Sequence, residues 1–296
     1  MEKKNEITKE EEQSAGISRM DFLKGVAVTA LSGAVLGGAA LLTTKKYTTS
    51  PDVKAFEGKK KRYGMLIDLR KCVGCESCTI ACKSENNVTV DSSGMNARRI
   101  FWNHLVYTEE GGEHPAIHAR PQPCNHCENP PCIKACPVGA TYEDESRGVV
   151  LINYDNCIGC RMCTVYCPYS RRYFNWEKPH FPHVARLDEK GMNASAGGFN
   201  QSVQVRTKRV TEKCTFCIHR IIAAEERAKK EGREVRDGEI QPACTATCIG
   251  GTRTFGDLND PGSKISRLVK ENKDKIMRLE EHLGTEPKVF FIKENI

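Results

Sequence analysis

Cys157-Ile158-Gly159-Cys160-Arg161-Met162-Cys163-Thr164-Val165-Tyr166-Cys167-Pro168 packs four cysteines into one short run, C-x2-C-x2-C-x3-C, with a proline behind the last. Cys72-Val73-Gly74-Cys75-Glu76-Ser77-Cys78-Thr79-Ile80-Ala81-Cys82 has the same spacing earlier in the chain. Between them stands a variant, Cys124, Cys127, Cys132 and Cys136, spaced C-x2-C-x4-C-x3-C and closed by Pro137. The fourth run, Cys214, Cys217, Cys244 and Cys248, is split by a charged insertion into C-x2-C-x26-C-x3-C. These runs use all 16 cysteines of the 296-residue chain.

Thiolates in fours at this spacing are the ligand set of cubane iron–sulfur clusters, in which three cysteines of a run hold one cluster and the fourth reaches another. A structural zinc site is built instead from two separated C-x2-C knuckles converging on one tetrahedral ion. Disulfide scaffolds carry cysteine at higher density than the roughly one-twentieth found here. The spacing therefore predicts four [4Fe–4S] clusters and a role as a relay for electrons. Metal binding free energy is also folding free energy, so the chain without iron is expected to be largely unfolded.

Length allows one to three domains. Aromatic residues make up 7% and mean hydropathy is −0.51, so the apolar core is modest. The formal charge of +7 is spread along the chain. No basic run is interleaved with aromatics, so a nucleic-acid partner is not expected. Lys and Arg around the clusters offset the negative charge of thiolate-ligated iron.

Residues 26–42 carry no charge and are rich in Ala, Gly and Thr. The stretch is short for a membrane span and fits the apolar region of an export signal. Before it, Ser18-Arg19-Met20-Asp21-Phe22-Leu23-Lys24 resembles the twin-arginine signal S-R-R-x-F-L-K, with Met20 at the second arginine. Either this degenerate form is tolerated, or the chain is exported bound to a partner with an intact signal. An uncleaved anchor is the alternative, since no clear A-x-A site follows. The expected location is the extracytoplasmic face of the cell membrane, held through a partner or the amino-terminal segment.

Residues 63–69 and 149–152 read as strands leading into runs one and three, the second across a Gly148 turn from Thr141-Tyr142, and residues 252–255 as the strand after run four. Strand, cysteine run, short helix, strand is thus a repeated unit, which makes the fold α+β. Residues 218–230 read as a helix. A further helix is expected from Asp260-Pro261, with Ile265, Leu268, Val269, Ile276, Leu279 and Leu283 on one face and Gly284 ending it. Residues 86–113 and 183–209 read as long loops. The expected organisation is a signal-like or anchor segment with a polar linker over 1–60, an iron–sulfur domain over 61–262 with an inner unit at about 115–180, and a carboxy-terminal helix and tail over 263–296.

Several segments carry a wider resemblance. They are Tyr63-Gly64-Met65-Leu66-Ile67-Asp68-Leu69-Arg70-Lys71-Cys72-Val73-Gly74-Cys75, Cys124-Asn125-His126-Cys127-Glu128-Asn129-Pro130-Pro131-Cys132, Cys136-Pro137-Val138-Gly139-Ala140-Thr141, Asp155-Asn156-Cys157-Ile158-Gly159-Cys160-Arg161, Cys167-Pro168-Tyr169 and Phe255-Gly256-Asp257-Leu258-Asn259-Asp260-Pro261. The chain resembles the four-cluster ferredoxin-type subunit of membrane-associated molybdopterin oxidoreductases, with the polysulfide, thiosulfate and tetrathionate reductase subunits most alike.

The resemblance implies two interlocked bacterial-ferredoxin-like units with loop insertions, run one pairing with run four and run two with run three. It implies one cluster on Cys72, Cys75, Cys78 and Cys248, and a second on Cys214, Cys217, Cys244 and Cys82. A third would take Cys124, Cys127, Cys132 and Cys167, and a fourth Cys157, Cys160, Cys163 and Cys136. No family position is changed to tryptophan, so all four are expected to be [4Fe–4S]. The implied partners are a molybdopterin-containing catalytic subunit and an integral membrane quinone-interacting subunit, with this subunit passing electrons between them in anaerobic respiration. The alternative is the iron–sulfur subunit of a hydrogenase-linked or sulfur-pathway membrane complex without molybdopterin. No motif for substrate chemistry stands out. His126 and His219, near ligands, are read as packed or solvated residues.

Overall fold

A computed structural model of the protein describes residues 60–89, 100–110, 116–177 and 200–293. The twin-arginine-like stretch and the apolar segment behind it lie outside the described residues. In chain order the elements are β1 (Tyr63–Asp68), α1 (Ser77–Glu85), β2 (His104–Glu110), β3 (Ala116–Gln122), α2 (Pro131–Lys134), β4 (Thr141–Asp144), β5 (Val149–Ile152), α3 (Met162–Val165) and β6 (Tyr173–Phe174). They continue with β7 (Thr211–Glu212), α4 (Ile218–Lys230), α5 (Ala243–Ala246), β8 (Arg253–Asp257), α6 (Lys264–Glu271), β9 (Ile276–Met277) and β10 (Val289–Ile292). Helices and strands are thus mixed, each cysteine run leading into a helix.

All 6 residues of β1 are buried, where a strand wetted on one face would alternate. The reason is its place inside a four-stranded sheet ordered β8-β1-β10-β9. β8 runs antiparallel to it, with Met65 opposite Phe255, and β10 parallel, with Met65 opposite Val289. Tyr63, Met65 and Ile67 face the main core with Val149, Phe216, Phe255 and Phe291. Leu66 faces the other way, onto Ile265, Ile292 and the half-buried Leu258, Leu268 and Val269. At Gly64 a Cβ would stand 2.5 Å from Leu258 Cδ1 and 2.9 Å from the Lys288 carbonyl oxygen, so this crossing admits only glycine.

The carboxy-terminal segment departs from expectation. The helix expected from Asp260 to Gly284 is only α6. It is capped by Ser263, whose Oγ accepts from the Ser266 N–H at 3.2 Å. Asp260-Pro261-Gly262 is a turn, with the Gly262 N–H on Asp260 Oδ1 at 2.8 Å. Asn272 ends the helix, its side-chain amide donating to the Leu268 carbonyl at 2.9 Å. Ile276 then enters β9 and pairs with Ile292 of β10. The apolar spacing therefore serves a helix first and a strand afterwards, and β10 of the expected tail lies inside the sheet.

The expected loop over 86–113 contains β2, which pairs antiparallel with β3 from His104–Gln122 to Glu110–Ala116. This hairpin backs run one: Tyr107 Oη lies 3.3 Å from the Gly74 carbonyl oxygen. β4 and β5 form a second hairpin, turning at Gly148 (φ +62°). Helix α4 spans the expected residues and buries Ile221, Ala224, Glu225 and Ala228 on one face. Glu225 is buried because Arg147 reaches it at 2.6 Å while also holding Asp144 at 2.6 Å, which ties the β4–β5 hairpin to α4. Among the described residues no helix is long and apolar enough to cross a membrane.

Candidate metal centres

Each run makes the same backbone turn. The residue before its second cysteine is left-handed: Gly74 at φ +67°, His126 at +43°, Gly159 at +70° and Phe216 at +55°. Turns that alternate handedness aim successive N–H groups into one concavity, a binding place for anions. At Gly159 a Cβ would lie 2.2 Å from the Arg209 carbonyl oxygen, so no side chain fits. In runs one and three the residue after the second cysteine, Glu76 or Arg161, is also left-handed and starts α1 or α3.

The last cysteine of each run faces a nitrogen donor. Cys136 Sγ accepts from the Thr141 N–H at 3.4 Å, Cys167 from Arg171 at 3.5 Å and Cys248 from Thr252 at 3.4 Å. For Cys82 the donor is a side chain, Asn86 Nδ2, at 3.8 Å. All 16 thiols are free of disulfides. Bonds to sulfur favour the thiolate, the form that ligates metal.

The thiols come together in four places. Cys72, Cys75, Cys78 and Cys248 line one cavity, walled by Leu105 and Pro121 of the β2–β3 hairpin. Cys124, Cys127, Cys132 and Cys167 line another, and Cys136, Cys157, Cys160 and Cys163 a third. Cys82, Cys214, Cys217 and Cys244 are all buried. Asn86 Nδ2 also reaches Cys217 Sγ at 3.5 Å, so it touches sulfurs of runs one and four. The Ala243 N–H reaches Cys217 Sγ at 3.4 Å. Burial raises the Cys82 thiol well above its ordinary value, and the neighbouring Cys214, Cys217 and Cys244 raise it further. Burial, with Cys244 beside it, pushes Cys217 up to about 12. Thiols this hard to ionise become ligands when a metal displaces their protons. Among the described residues no three His, Cys, Asp or Glu side chains close on a single-ion position; the thiols ring cavities instead.

Buried cations face these cavities, and sequence reasoning did not single them out. Arg253, 5% exposed, donates to Asn103 Oδ1 at 2.9 Å. Burial alone would push its guanidinium down, but Cys244, Cys78 and Cys248 outweigh burial and hold it up. Arg172 behaves alike: burial is outweighed by Cys132, Cys163 and Cys124. Arg253 Nε and Arg172 Nη2 are buried without a hydrogen-bond partner among the described residues. Buried donors left over beside rings of thiols fit an anionic group with acceptor atoms of its own, which an iron–sulfur cluster supplies through its sulfides. The only sequence signals are their positions: Arg172 follows Cys167-Pro168 closely, and Arg253 opens the strand after run four. His219 lies outside the rings, 2.7 Å from Glu85 Oε1. His126 is fully buried.

Fold and site together define a multi-cluster iron–sulfur protein. Residues 71–140 and 116–194 each match a family described as a 4Fe-4S dicluster domain. The two matches overlap on run two, and run four lies beyond both. The iron–sulfur cluster-binding subunit of menaquinone reductase from Nitratidesulfovibrio vulgaris is 38% identical over 247 residues, 81% of this chain and 92% of its own length. The arsenate respiratory reductase iron–sulfur subunit of Shewanella sp. strain ANA-3 is 38% identical, covering 78% of this chain and 96% of its own. A tetrathionate reductase subunit of Salmonella typhimurium is 34% identical, covering 88% and 84%. The chain belongs to this family of 4Fe-4S iron–sulfur subunits of respiratory oxidoreductases, with cysteines enough for four clusters.

Proposed function

We propose that the chain relays single electrons through four [4Fe–4S] clusters, between a molybdopterin-containing catalytic subunit and a membrane-bound, quinone-interacting subunit. The observation that carries this reading is the exposure of the four thiol sets. Cys75 of one set and Cys160 of another are exposed, while the set of Cys82, Cys214, Cys217 and Cys244 is wholly buried. A row of centres with a surface opening at two places has the form of a relay met by two partners. The names of the relatives, reductases of menaquinone, arsenate and tetrathionate, agree with it.

The cavity linings support a crossed ligand assignment. The first centre would be held by Cys72, Cys75, Cys78 and Cys248, and the second by Cys82, Cys214, Cys217 and Cys244. The third would take Cys124, Cys127, Cys132 and Cys167, and the fourth Cys136, Cys157, Cys160 and Cys163. Each bound cluster takes up and releases one electron. The chain's own part is to hold the thiolates, keep water from the second centre, and set potentials through N–H···S bonds and the charges of Arg172 and Arg253. The stretch at 18–24 supports a place on the extracytoplasmic face of the membrane.

Metal analysis of the purified chain tests the reading: about sixteen irons and as many acid-labile sulfides are expected, whereas near-stoichiometric zinc without sulfide sinks it. Cys248→Ser should perturb the centre of Cys72 and leave that of Cys214 intact. Loss of the Cys214 signal instead would show the crossed assignment to be wrong.

A further inference from the structure

Between the second and third centres lies a buried polar assembly that ligation does not explain. The Val150 N–H, in β5, donates to His126 Nδ1 at 3.1 Å. Nδ1 is therefore the acceptor, and the proton on Nε2 is donated to the Cys214 carbonyl at 3.0 Å. The same carbonyl accepts from Lys213 Nζ at 2.7 Å, and Lys213 Nζ also donates to the Val150 carbonyl. The four bonds close a ring through Val150, His126, Cys214 and Lys213. His126 and Lys213 are 0% exposed and Val150 1%. The His126 ring lies on Phe216, with centroids 3.8 Å apart and planes 16° apart.

The placement is specific. His126 stands between Cys124 and Cys127, and Phe216 between Cys214 and Cys217. Each occupies the left-handed position before the second cysteine of its run, where runs one and three have glycine. A β-carbon at that conformation is unfavourable, and Gly74 and Gly159 show that the turn needs no side chain. In runs two and four the side chains present there meet each other. The Phe216 N–H also reaches Cys214 Sγ at 3.4 Å. Stack and ring together join run two, run four and the strand before run three.

We propose that His126, Phe216 and Lys213 form a clamp that fixes the separation of the second and third centres, as positioning residues for electron exchange between them. The clamp rests on the crossed ligand assignment above. Electron exchange falls steeply with the distance between clusters, so a rigid stack with its hydrogen bonds satisfied holds that step constant.

His126→Gly keeps the turn and removes both the stack and two hydrogen bonds, whereas Phe216→Leu removes the stack alone. Ile265→Val, in the core beyond the sheet, is the control for simple destabilisation. The test is electron paramagnetic resonance of the reduced, full-length chain, read together with its iron content. Both clamp variants are expected to load iron like the parent. They should change the magnetic splitting between the second and third centres and shift the potentials of those two, leaving the first and fourth unchanged. Ile265→Val should leave all four unchanged. Loaded clamp variants with the parent's splitting overturn the clamp, as does an equal change in Ile265→Val. If His126→Gly fails to load, Phe216→Leu decides alone by the same reading. A parent without about sixteen irons overturns the four-centre reading itself; a loaded parent with unmoved variants overturns only the clamp.

Discussion

At Gly159 the absence of a side chain is a steric demand: a Cβ would lie 2.2 Å from the Arg209 carbonyl oxygen, at φ +70°. Gly74, in the matching place of run one, is looser, its Cβ meeting Ala119 Cβ at 3.2 Å. Gly159→Ala is therefore expected to lose the iron of the fourth centre, about a quarter of the total, while Gly74→Ala loses less. Iron per chain, with the remaining cluster signals, checks both; a fully loaded Gly159→Ala contradicts the steric argument. The two glycines sit inside the C-x-G-C pattern and were visible in the sequence, as were all the cysteines. His126 and Phe216 make the same turn, yet nothing in a histidine or phenylalanine announces a left-handed backbone. Their meaning appears only when runs two and four are seen face to face. Arg172 and Arg253 were equally silent, because nothing in their spacing from the cysteines marks them as buried.

Between elements, the end of α1 is joined to the start of α4 through Glu85. Arg220 reaches it at 2.5 Å through Nε and 2.7 Å through Nη2, with His219 at 2.7 Å on the same carboxylate. Glu85 lies three residues past Cys82 and Arg220 three past Cys217, so the pair braces thiols of runs one and four against each other. The hydrogen bonds from Arg220 hold the Glu85 carboxyl down to about 2. A carboxyl lowered on folding contributes stability above its ordinary value near 4.5, and the contribution fades as pH falls toward 2. After allowance for its contact with solvent, Glu85→Gln should cost about 1 kcal/mol at neutral pH. The check is the thermal midpoint of the iron-loaded chain, which should lie below the parent's at about pH 7, where the Glu85 contribution is fully present. A midpoint equal to the parent's at neutral pH would contradict this assignment.

Helix α4 and strands β1 and β5 could be read from local pattern alone. The carboxy-terminal helix could not be bounded, because Ile276 continues the spacing of Ile265, Leu268 and Val269 although Asn272 has already closed the helix. β10 is too short to stand out, and its reason to be a strand lies at the other end of the chain.

On the scale of the whole molecule, the sheet is held by that distant pairing. β10 lies between β1 and β9, and burial of Val289 and Phe291 at 0% exposure completes the main core. Lys288, also 0% exposed, reaches back to the Gly148 carbonyl of the β4–β5 hairpin. A chain ended after Thr285 is therefore expected to lose its cooperative unfolding transition and most of its iron, by circular dichroism and metal analysis. Retention of both would mean that β10 is dispensable.

The same pairing gives the molecule a timetable. β1 is the first described strand to be synthesised, and both of its neighbours, β8 and β10, come from the far end of the chain. Until they emerge, a six-residue, mostly apolar strand waits with both edges open, the kind of segment that other chains pair with. Contacts so remote in sequence form slowly. The sheet thus cannot close until β10 has been made, and in the interval before Val289 leaves the ribosome the edges of β1 are open to other chains.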